Sequence, residues 1–319
     1  MESADRQVLD ALIGWRDAGR RAALATVART WGSSPRPPGS WAAFRDDGAV
    51  AGSVSGGCIE EDLVRRVREG LLDRATPEVL SYGGTPEEAA RFGLPCGGTV
   101  RIVIEPNPGA DRLRELRQRI VDGTVTARSV DIATGTVTLA EAARNDPLVW
   151  DGQRLTTIHG PRLRLLIIGA VQVSSYLATM AQALGYQVTV CDPREEYHGT
   201  WKLDGAHLST AMPDDAVTAL QPDSGTAIVA LTHDPKLDDL ALLEALRSPA
   251  FYVGALGSGR NNMKRCERLA QHFGVTAAEL GRLHGPVGLN IGSRTPPEIA
   301  VSILAEMTAA KYGVDSHRG

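Results

Sequence analysis

The chain has 319 residues, which is long enough for two domains, and its 43% hydrophobic and 23% charged residues are typical of a globular protein. Its formal net charge of −4, without a basic block, argues against binding to nucleic acid or to a membrane surface. No apolar run approaches the roughly 20 residues that span a bilayer, and the acidic N-terminus lacks an export signal. With four cysteines and no such signal, we expect reduced thiols and a cytoplasmic protein.

The first 109 residues predict an α+β domain. Apolar stretches bounded by turn residues predict strands at 22–31, 41–44, 49–53, 79–82 and 99–105. Helices are expected at the N-terminus and from Cys58 to near Asp73. Residues 110–160 contain a charged helical stretch and short alternating strands, and we interpret them as a segment that connects this domain to the next.

Two cysteines of the first domain lie beside paired glycines. Cys58 follows Gly56-Gly57 at the start of a helix, and Cys96 precedes Gly97-Gly98. Glycine permits compact turns that leave backbone N–H groups accessible, and the dipole at a helix N-terminus favours a thiolate. Such turns are suited to an anionic or sulfur-seeking ligand. The alternative is that each cysteine is a small buried residue without a chemical role.

The pattern changes to alternating strands and helices after residue 160. Buried strands are predicted at 163–168, 187–192, 226–231 and 251–256. Helices are predicted between and after them, at 171–184, 213–220, 235–247 and 259–273. This alternation predicts a Rossmann-like domain over 161–319, with a parallel sheet that binds ligands at the carboxyl ends of its strands.

The first turn of this second domain departs from the dinucleotide-binding pattern G-x-G-x-x-G. In Gly169-Ala170-Val171-Gln172-Val173-Ser174 only the first glycine is present, and Val171 stands where bare backbone would approach a pyrophosphate. Asp192, at the end of the second strand, is placed like the acid that binds an adenosine ribose. Gly169 and Asp192 are therefore candidate binding residues, but the altered turn argues against NAD(P) as a ligand.

A second glycine-rich turn, at 254–262, follows the fourth strand and opens a helix. Backbone N–H groups near Gly257 and Ser258 would bind an anion such as phosphate, and Arg260 would add a bidentate contact. A plain strand-to-helix turn is the alternative. The seven histidines are scattered singly and neither Cys58 nor Cys96 has a second ligand beside it, so no metal site is predicted from spacing.

Taken together, these motifs resemble the XdhC/CoxI family. Those of the first domain are Gly32-Ser33-Ser34-Pro35-Arg36, Gly52-Ser53-Val54-Ser55-Gly56-Gly57-Cys58-Ile59-Glu60 and Cys96-Gly97-Gly98. Those of the second are Asp192-Pro193-Arg194, Tyr252-Val253-Gly254-Ala255-Leu256-Gly257-Ser258, Pro286-Val287-Gly288-Leu289-Asn290-Ile291-Gly292 and Pro297-Glu298-Ile299-Ala300-Val301-Ser302-Ile303. They occur in order over nearly the whole chain.

The resemblance implies a maturation factor with an N-terminal XdhC domain and a C-terminal Rossmann domain. Family members bind the molybdenum cofactor, protect it while a cysteine desulfurase partner sulfurates it, and deliver it to the apo-enzyme of a molybdenum hydroxylase of the xanthine dehydrogenase or CO dehydrogenase type. A homo-oligomer is also expected. The residues expected to do chemistry are Cys58, Cys96 and Glu60, with molybdenum contact through either thiol. Expected cofactor-binding residues are Ser33, Ser34, Arg36, Ser55, Gly56, Gly57, Gly97, Gly169, Asp192, Gly257, Ser258 and Arg260.

One motif departs from the family, which usually has a Gly-x-Gly-His turn after the first Rossmann strand, where this chain has Gly169-Ala170-Val171-Gln172. Two functions therefore remain open. The first is a cofactor-binding chaperone that turns over no free substrate. The second is an NAD(P)-dependent oxidoreductase on the same scaffold, with Cys58 or Glu60 near a small-molecule substrate.

Overall fold

The structure, a computed structural model, describes residues 3–32, 36–85, 87–88, 92, 98–199 and 201–314. The chain forms two compact units, residues 1–161 and 162–319. The first has antiparallel sheets with helices and the second has a parallel sheet, which confirms the expected α+β domain followed by a Rossmann-like domain. Within the described part of the chain, no helix is both long and apolar enough to cross a membrane.

Five strands of the first unit form an antiparallel sheet in the order β3-β2-β1-β5-β4. They are β1 (Ala22–Trp31), β2 (Trp41–Arg45), β3 (Val50–Gly52), β4 (Glu78–Tyr82) and β5 (Thr99–Pro106). The central strand β1 is buried over its first seven residues, because both faces of the sheet are covered there. This explains why residues 22–28 are almost continuously apolar rather than alternating.

Helices cover both faces of this sheet. On one face lies α2 (Cys58–Arg68), whose apolar residues Ile59, Leu63 and Val67 recur at helical spacing and pack against β1, β4 and β5. On the other face α1 (Ser3–Asp17) packs against β1 and β2 together with α3 (Ala110–Val121). A 3-10 turn at Leu71–Asp73 follows α2.

Residues 110–160, predicted as a connecting segment, form α3 and a second antiparallel sheet within the first unit. Its strands, in the order β7-β6-β9-β8, are β6 (Thr126–Asp131), β7 (Val137–Glu141), β8 (Val149–Trp150) and β9 (Arg154–His159). Burial alternates along β6 and β9, as expected for strands with one covered face. Val130 and Leu155 pack against Ala28 and Val103 of the first sheet.

A buried ion pair joins the two sheets of the first unit. Arg128 on β6 donates from Nη1 to Glu105 Oε1 at 2.9 Å and from Nη2 to Oε2 at 2.7 Å, and both residues are 3% exposed. The Trp41 ring lies 5.8 Å from the Arg128 guanidinium carbon and 4.4 Å from the His159 ring. The bidentate geometry offsets the cost of removing both charges from water.

The second unit has one parallel sheet in the order β12-β11-β10-β13-β14-β15. Its strands are β10 (Leu163–Ile168), β11 (Tyr186–Cys191), β12 (Ala206–Ser209), β13 (Thr226–Ala230), β14 (Tyr252–Ala255) and β15 (Leu283–His284). Counted within the unit this order is 3-2-1-4-5-6, the order of dinucleotide-binding Rossmann domains. The chain reverses its winding between β10 and β13, so the crevice at their carboxyl ends is the expected ligand position.

Helices cover both faces of the parallel sheet. They are α4 (Gln172–Ala183), α5 (Glu195–His198), α6 (Pro213–Leu220), α7 (Pro235–Arg247), α8 (Gly259–Phe273), α9 (Ala277–Leu280) and α10 (Pro296–Lys311). The buried carboxylate of Glu306 ties α10 to the sheet, because it accepts hydrogen bonds from Tyr252 Oη at 2.5 Å and from the Gly288 N–H at 2.7 Å. It also lies 3.1 Å from Nδ1 of His284, whose ring stacks on Tyr252.

We expect Arg128→Met to lower the free energy of unfolding by about 3–5 kcal/mol, because it leaves the Glu105 carboxylate buried without its partner. The double variant Arg128→Met/Glu105→Leu should recover most of this loss, since it removes both charges. Urea unfolding followed by tryptophan emission measures both effects. A single-variant loss below about 1 kcal/mol, as for an exposed ion pair, would contradict this role.

Candidate functional site

Strand direction brings the loops of the first unit to one edge of its five-stranded sheet. β1 and β3 run parallel to each other, because each pairs antiparallel with β2, and both end at this edge. β5 begins and β4 ends there, since Trp31 pairs with Thr99 and Tyr82 pairs with Val100. The turn that carries Cys58, Gly32 after β1 and Gly98 before β5 therefore share this edge, which we call the loop edge.

Two of these loops touch at glycines. Gly32 has φ +68°, and a Cβ on it would lie 3.3 Å from the Cα of Gly98. A side chain at Gly32 would therefore be strained in conformation and would press on the neighbouring backbone. The expected binding residues Ser33, Ser34 and Gly97 and the expected thiol Cys96 lie outside the described residues. Arg36 is exposed at the loop edge.

The turn before α2 is organised by the carboxylate of Glu60. Oε1 accepts hydrogen bonds from the hydroxyl of Ser53 at 2.7 Å and from backbone N–H groups of Val54 at 2.8 Å and Ser55 at 2.9 Å. It also accepts one from the Gly56 N–H at 3.2 Å. Oε2 accepts from the Ser55 hydroxyl and from the Gly57 N–H at 2.8 Å. The turn thus wraps around an anion that the chain itself supplies.

These contacts hold Glu60 in its ionised form. Burial alone raises the pKa of this carboxyl, but the hydrogen bonds from Ser55 and Ser53 and from the turn's backbone outweigh burial and lower the pKa to about 2. An acid with so low a pKa is a weak base near neutral pH. Glu60, expected from the sequence among the residues that do chemistry, is placed by the structure where it shapes the turn.

The turn exposes its outer side at Gly56, Gly57 and Cys58. Gly56 has φ +95° and Gly57 has φ +152°, and a Cβ on either would meet no atom within 4 Å. Glycine is required there for conformation rather than for space, so the surface above the turn is open. Cys58 is exposed at the first position of α2. The N–H groups of Ser55, Gly56 and Gly57, expected to face a ligand, point inward to Glu60, and the thiol faces outward.

The other described cysteines have different surroundings. Cys191 is buried at the end of β11, where its thiol donates to the carbonyl of Ala211 at 3.2 Å and burial raises its pKa to about 12. Cys266 is half-exposed on α8. Among the described residues, no three His, Cys, Asp or Glu side chains are grouped so that they would hold a metal ion.

In the second unit the carboxylate of Asp192 is fully buried at the carboxyl end of β11. Oδ2 accepts from the Ala170 N–H at 2.8 Å, and Arg194 pairs with both oxygens at 2.9 and 2.8 Å. Burial raises the pKa of Asp192, but the bonds from Arg194 and Ala170 outweigh it and the net pKa is lowered. The side chain placed to bind a ribose is therefore already fully engaged by neighbouring groups.

The turn after β10 packs closely against Thr232 and is closed by a hydrogen bond from Ser174. A Cβ on Gly169, which has φ +106°, would lie 3.0–3.1 Å from atoms of Thr232 after β13. The buried hydroxyl of Ser174 donates to the Gly169 carbonyl at 2.6 Å, so serine fits where the dinucleotide pattern has its third glycine. Val171 caps α4 through its backbone and packs partly against the core. Val171 stands where the dinucleotide-binding pattern G-x-G-x-x-G has its second glycine.

The loop before α8 has the elements of an anion site. Ser258 is the N-cap of this 15-residue helix and accepts a hydrogen bond from the Asn261 N–H at 3.2 Å, while Arg260 is exposed in the first turn. Gly257 precedes them with φ +156°. Arg265, a basic residue of the same helix, is buried beneath this loop, which the sequence did not indicate. It binds Asp238 and the Leu256 carbonyl at 3.2 Å each, and its Nη1 has no hydrogen-bond partner in the described part of the chain.

We expect Glu60→Gln to lower the free energy of unfolding by about 1–3 kcal/mol at neutral pH, because an amide cannot accept all the turn's hydrogen bonds. Glu61→Gln, one residue further along and exposed, is the matched control. The Glu60 pKa lies below its ordinary value of 4.5, so its stabilising effect is complete above that pH and is lost as pH falls toward 2. Urea unfolding at several pH values gives the difference in free energy of unfolding between the wild type and Glu60→Gln, which should shrink below pH 4.5. A free-energy difference that stays constant down to pH 2 would contradict this.

Two family models match the chain. One, described as the XdhC and CoxI family, matches residues 15–83, and the other, described as the XdhC Rossmann domain, matches residues 165–307. Together they span more than half of the chain. The matched regions contain the Glu60 turn of the first unit and most of the parallel sheet of the second.

Relatives match over nearly the full length. The molybdenum cofactor insertion chaperone PaoD of Escherichia coli (strain K12) is 27% identical over 92% of this chain and 85% of its own. A probable xanthine dehydrogenase subunit from Bacillus subtilis (strain 168) is 28% identical over 96% and 97%. The crystal structure of a xanthine dehydrogenase from Bacillus halodurans shares the fold, with a TM-score of 0.76 and 24% identity over 100% of this chain and 98% of that one. The chain belongs to the XdhC/CoxI family.

Proposed function

We propose that this protein is a maturation factor that binds the molybdenum cofactor as cargo and delivers it to the apo-enzyme of a molybdenum hydroxylase. The observation that carries the proposal is the Cys58 thiol, exposed on a hydrogen-bonded turn with open space above both of its glycines. The chain's similarity to a molybdenum cofactor insertion chaperone and to a probable xanthine dehydrogenase subunit supports the same role.

The chemistry of the turn suits a soft, sulfur-rich cargo. A cysteine sulfur is a soft ligand that binds metals and sulfur-rich groups. Because Glu60 fills the turn's N–H cradle, the turn offers a ligand its thiol rather than a backbone anion site. In this proposal Cys58 contacts molybdenum or carries sulfur, and Glu60 is a positioning residue that holds the thiol's turn in shape.

The second unit has a candidate anion contact of its own. Ser258 and Arg260 at the start of α8 offer a helix N-terminus and an exposed guanidinium, both of which favour phosphate. We include in the proposal Arg36 at the loop edge and Cys96. We also include a cysteine desulfurase partner that sulfurates the bound cofactor, and a homo-oligomeric state.

We expect Cys58→Ala to weaken cofactor retention by about tenfold or more, since it removes the proposed ligand atom while leaving the turn's hydrogen bonds intact. The measurement is anaerobic incubation with free molybdenum cofactor, then gel filtration with pterin fluorescence. Cys266→Ala removes a half-exposed thiol on α8 and is the matched control. Thermal melting confirms that each variant is folded.

Two outcomes would count against this role. Equal retention by wild type and a folded Cys58→Ala would remove the thiol from the proposal. No pterin comigrating with the wild type at micromolar concentrations would reject the cofactor-binding function itself.

The alternative is an NAD(P)-dependent oxidoreductase, which the strand order 3-2-1-4-5-6 favours. Two features oppose it. Val171 occupies the position where bare backbone approaches a pyrophosphate, and Asp192 is fully buried in contacts with Ala170 and Arg194. To bind a ribose, Asp192 would have to break a bidentate ion pair.

We therefore expect NAD(P) to bind with a dissociation constant weaker than about 10 μM, which corresponds to about −7 kcal/mol. Isothermal titration with each dinucleotide measures this. Tighter binding would support the oxidoreductase, and it would mean that Arg194 releases Asp192 when the ligand arrives.

A further inference from the structure

A cluster of two arginines and a tryptophan lies at the loop edge, on the face of the sheet opposite to α2. Arg29 on β1 and Arg101 on β5 are directly opposite each other in the antiparallel ladder. Their guanidinium carbons lie 4.7 and 5.2 Å from the centroid of the Trp31 ring, which is 38% exposed. Ser81 on β4 pairs with Arg101 and is also exposed, so a row of hydrogen-bond donors crosses three strands.

In the described ranges of the chain, the two guanidiniums of this cluster have no carboxylate partner, whereas many arginines of the unit do. Arg128, for example, pairs with Glu105, and Arg66 pairs with Asp62. Within the part of the chain that the structure describes, no carboxylate lies within ion-pair distance of Arg29 or Arg101. Like charges directly opposite in a sheet repel each other, and among the described residues no acidic group offsets this repulsion.

The tryptophan holds both cations in place. A guanidinium stacked on an indole ring gains cation–π attraction and loses side-chain freedom before any ligand binds. Binding an anion between two such groups therefore requires little further ordering. Residues directly opposite each other in a ladder have Cβ atoms about 5 Å apart. The guanidinium groups of Arg29 and Arg101 can therefore both reach the oxygens of one tetrahedral anion.

We propose that Arg29, Trp31 and Arg101 form an oxyanion site that binds the phosphate group of a phosphorylated ligand. A phosphate ester offers two or three oxygens, which matches two bidentate guanidiniums and the Ser81 hydroxyl better than a single carboxylate does. The inference rests on the proposed function only for the identity of the ligand, since the molybdenum cofactor carries a phosphate. The site itself follows from the two cations and the ring that orders them.

The test compares thermal melting of the full chain in millimolar inorganic phosphate and in chloride of equal ionic strength. Phosphate that binds the native state should raise Tm beyond the effect of chloride. Arg29→Gln and Arg101→Gln should each weaken this response about tenfold or more, and the double variant should abolish it. Arg154→Gln, an exposed arginine on β9 of the other sheet, is the matched control and should respond like wild type.

Phenyl phosphate, a phosphate ester with an aromatic ring, tests whether the site takes a ligand larger than the free ion. We expect it to raise Tm as inorganic phosphate does. A response to inorganic phosphate alone would overturn the proposal, because that site would not admit a phosphorylated ligand. An equal response in wild type and double variant would also overturn it, since phosphate stabilises folded proteins generally by exclusion from their surfaces.

The two proposals fail separately. If phosphate binds at the cluster but the molybdenum cofactor does not comigrate with the protein, the oxyanion site stands and the proposed function is rejected. The opposite outcome is that the cofactor comigrates with the wild type and that the double variant also retains the cofactor and the response to phosphate. In that case the cluster is not the phosphate site.

Discussion

The structure of the first unit depends on the hydrogen bonds that the turn before α2 donates to Glu60. Four consecutive backbone N–H groups, from Val54 to Gly57, converge on one carboxylate, with the hydroxyls of Ser53 and Ser55 beside them. The contacts fix where α2 begins and hence where its first side chain, the Cys58 thiol, is presented. They also set the chemistry of the surface, because an internal anion takes the place that a ligand anion would otherwise occupy.

In the second unit, too, a side-chain carboxylate accepts hydrogen bonds from a turn, here at the carboxyl ends of the parallel strands. Asp192 accepts the Ala170 N–H of the turn after β10 and is clamped by Arg194, so the ribose-binding acid of the Rossmann pattern serves as a structural anion. In both units a side-chain carboxylate therefore satisfies the backbone of a turn that resembles a ligand loop. The exposed groups to which we assign ligand contacts are cationic or soft: the Cys58 thiol and the Arg29–Arg101 pair in the first unit, and Arg260 in the second.

Much of the fold could be predicted because its signals are local. The strand at 22–31 and the helices at 213–220, 235–247 and 259–273 agree with the structure to the residue, since apolar periodicity and end signals mark them. The short strands β12 and β15 could not be predicted, because four and two residues are too few for a period to be recognised.

The site was harder to predict than the fold. Glu60 lies at the third position of a helix, where an acid often caps the preceding turn, yet its other donors depend on a turn geometry that no spacing reveals. The pairing of Arg29 with Arg101 joins residues 72 positions apart through a bulged ladder, so only the register exposes it.

The most direct test is mass spectrometry of the small molecule that copurifies with the wild-type protein under anaerobic conditions. Because the open turn presents a thiol and the groups proposed to bind an anion are cationic, we predict a phosphorylated, molybdopterin-type ligand that is depleted from the Cys58→Ala protein. A nicotinamide dinucleotide in its place would contradict the proposed function, since that ligand would require Asp192 to be free and Val171 to admit a pyrophosphate.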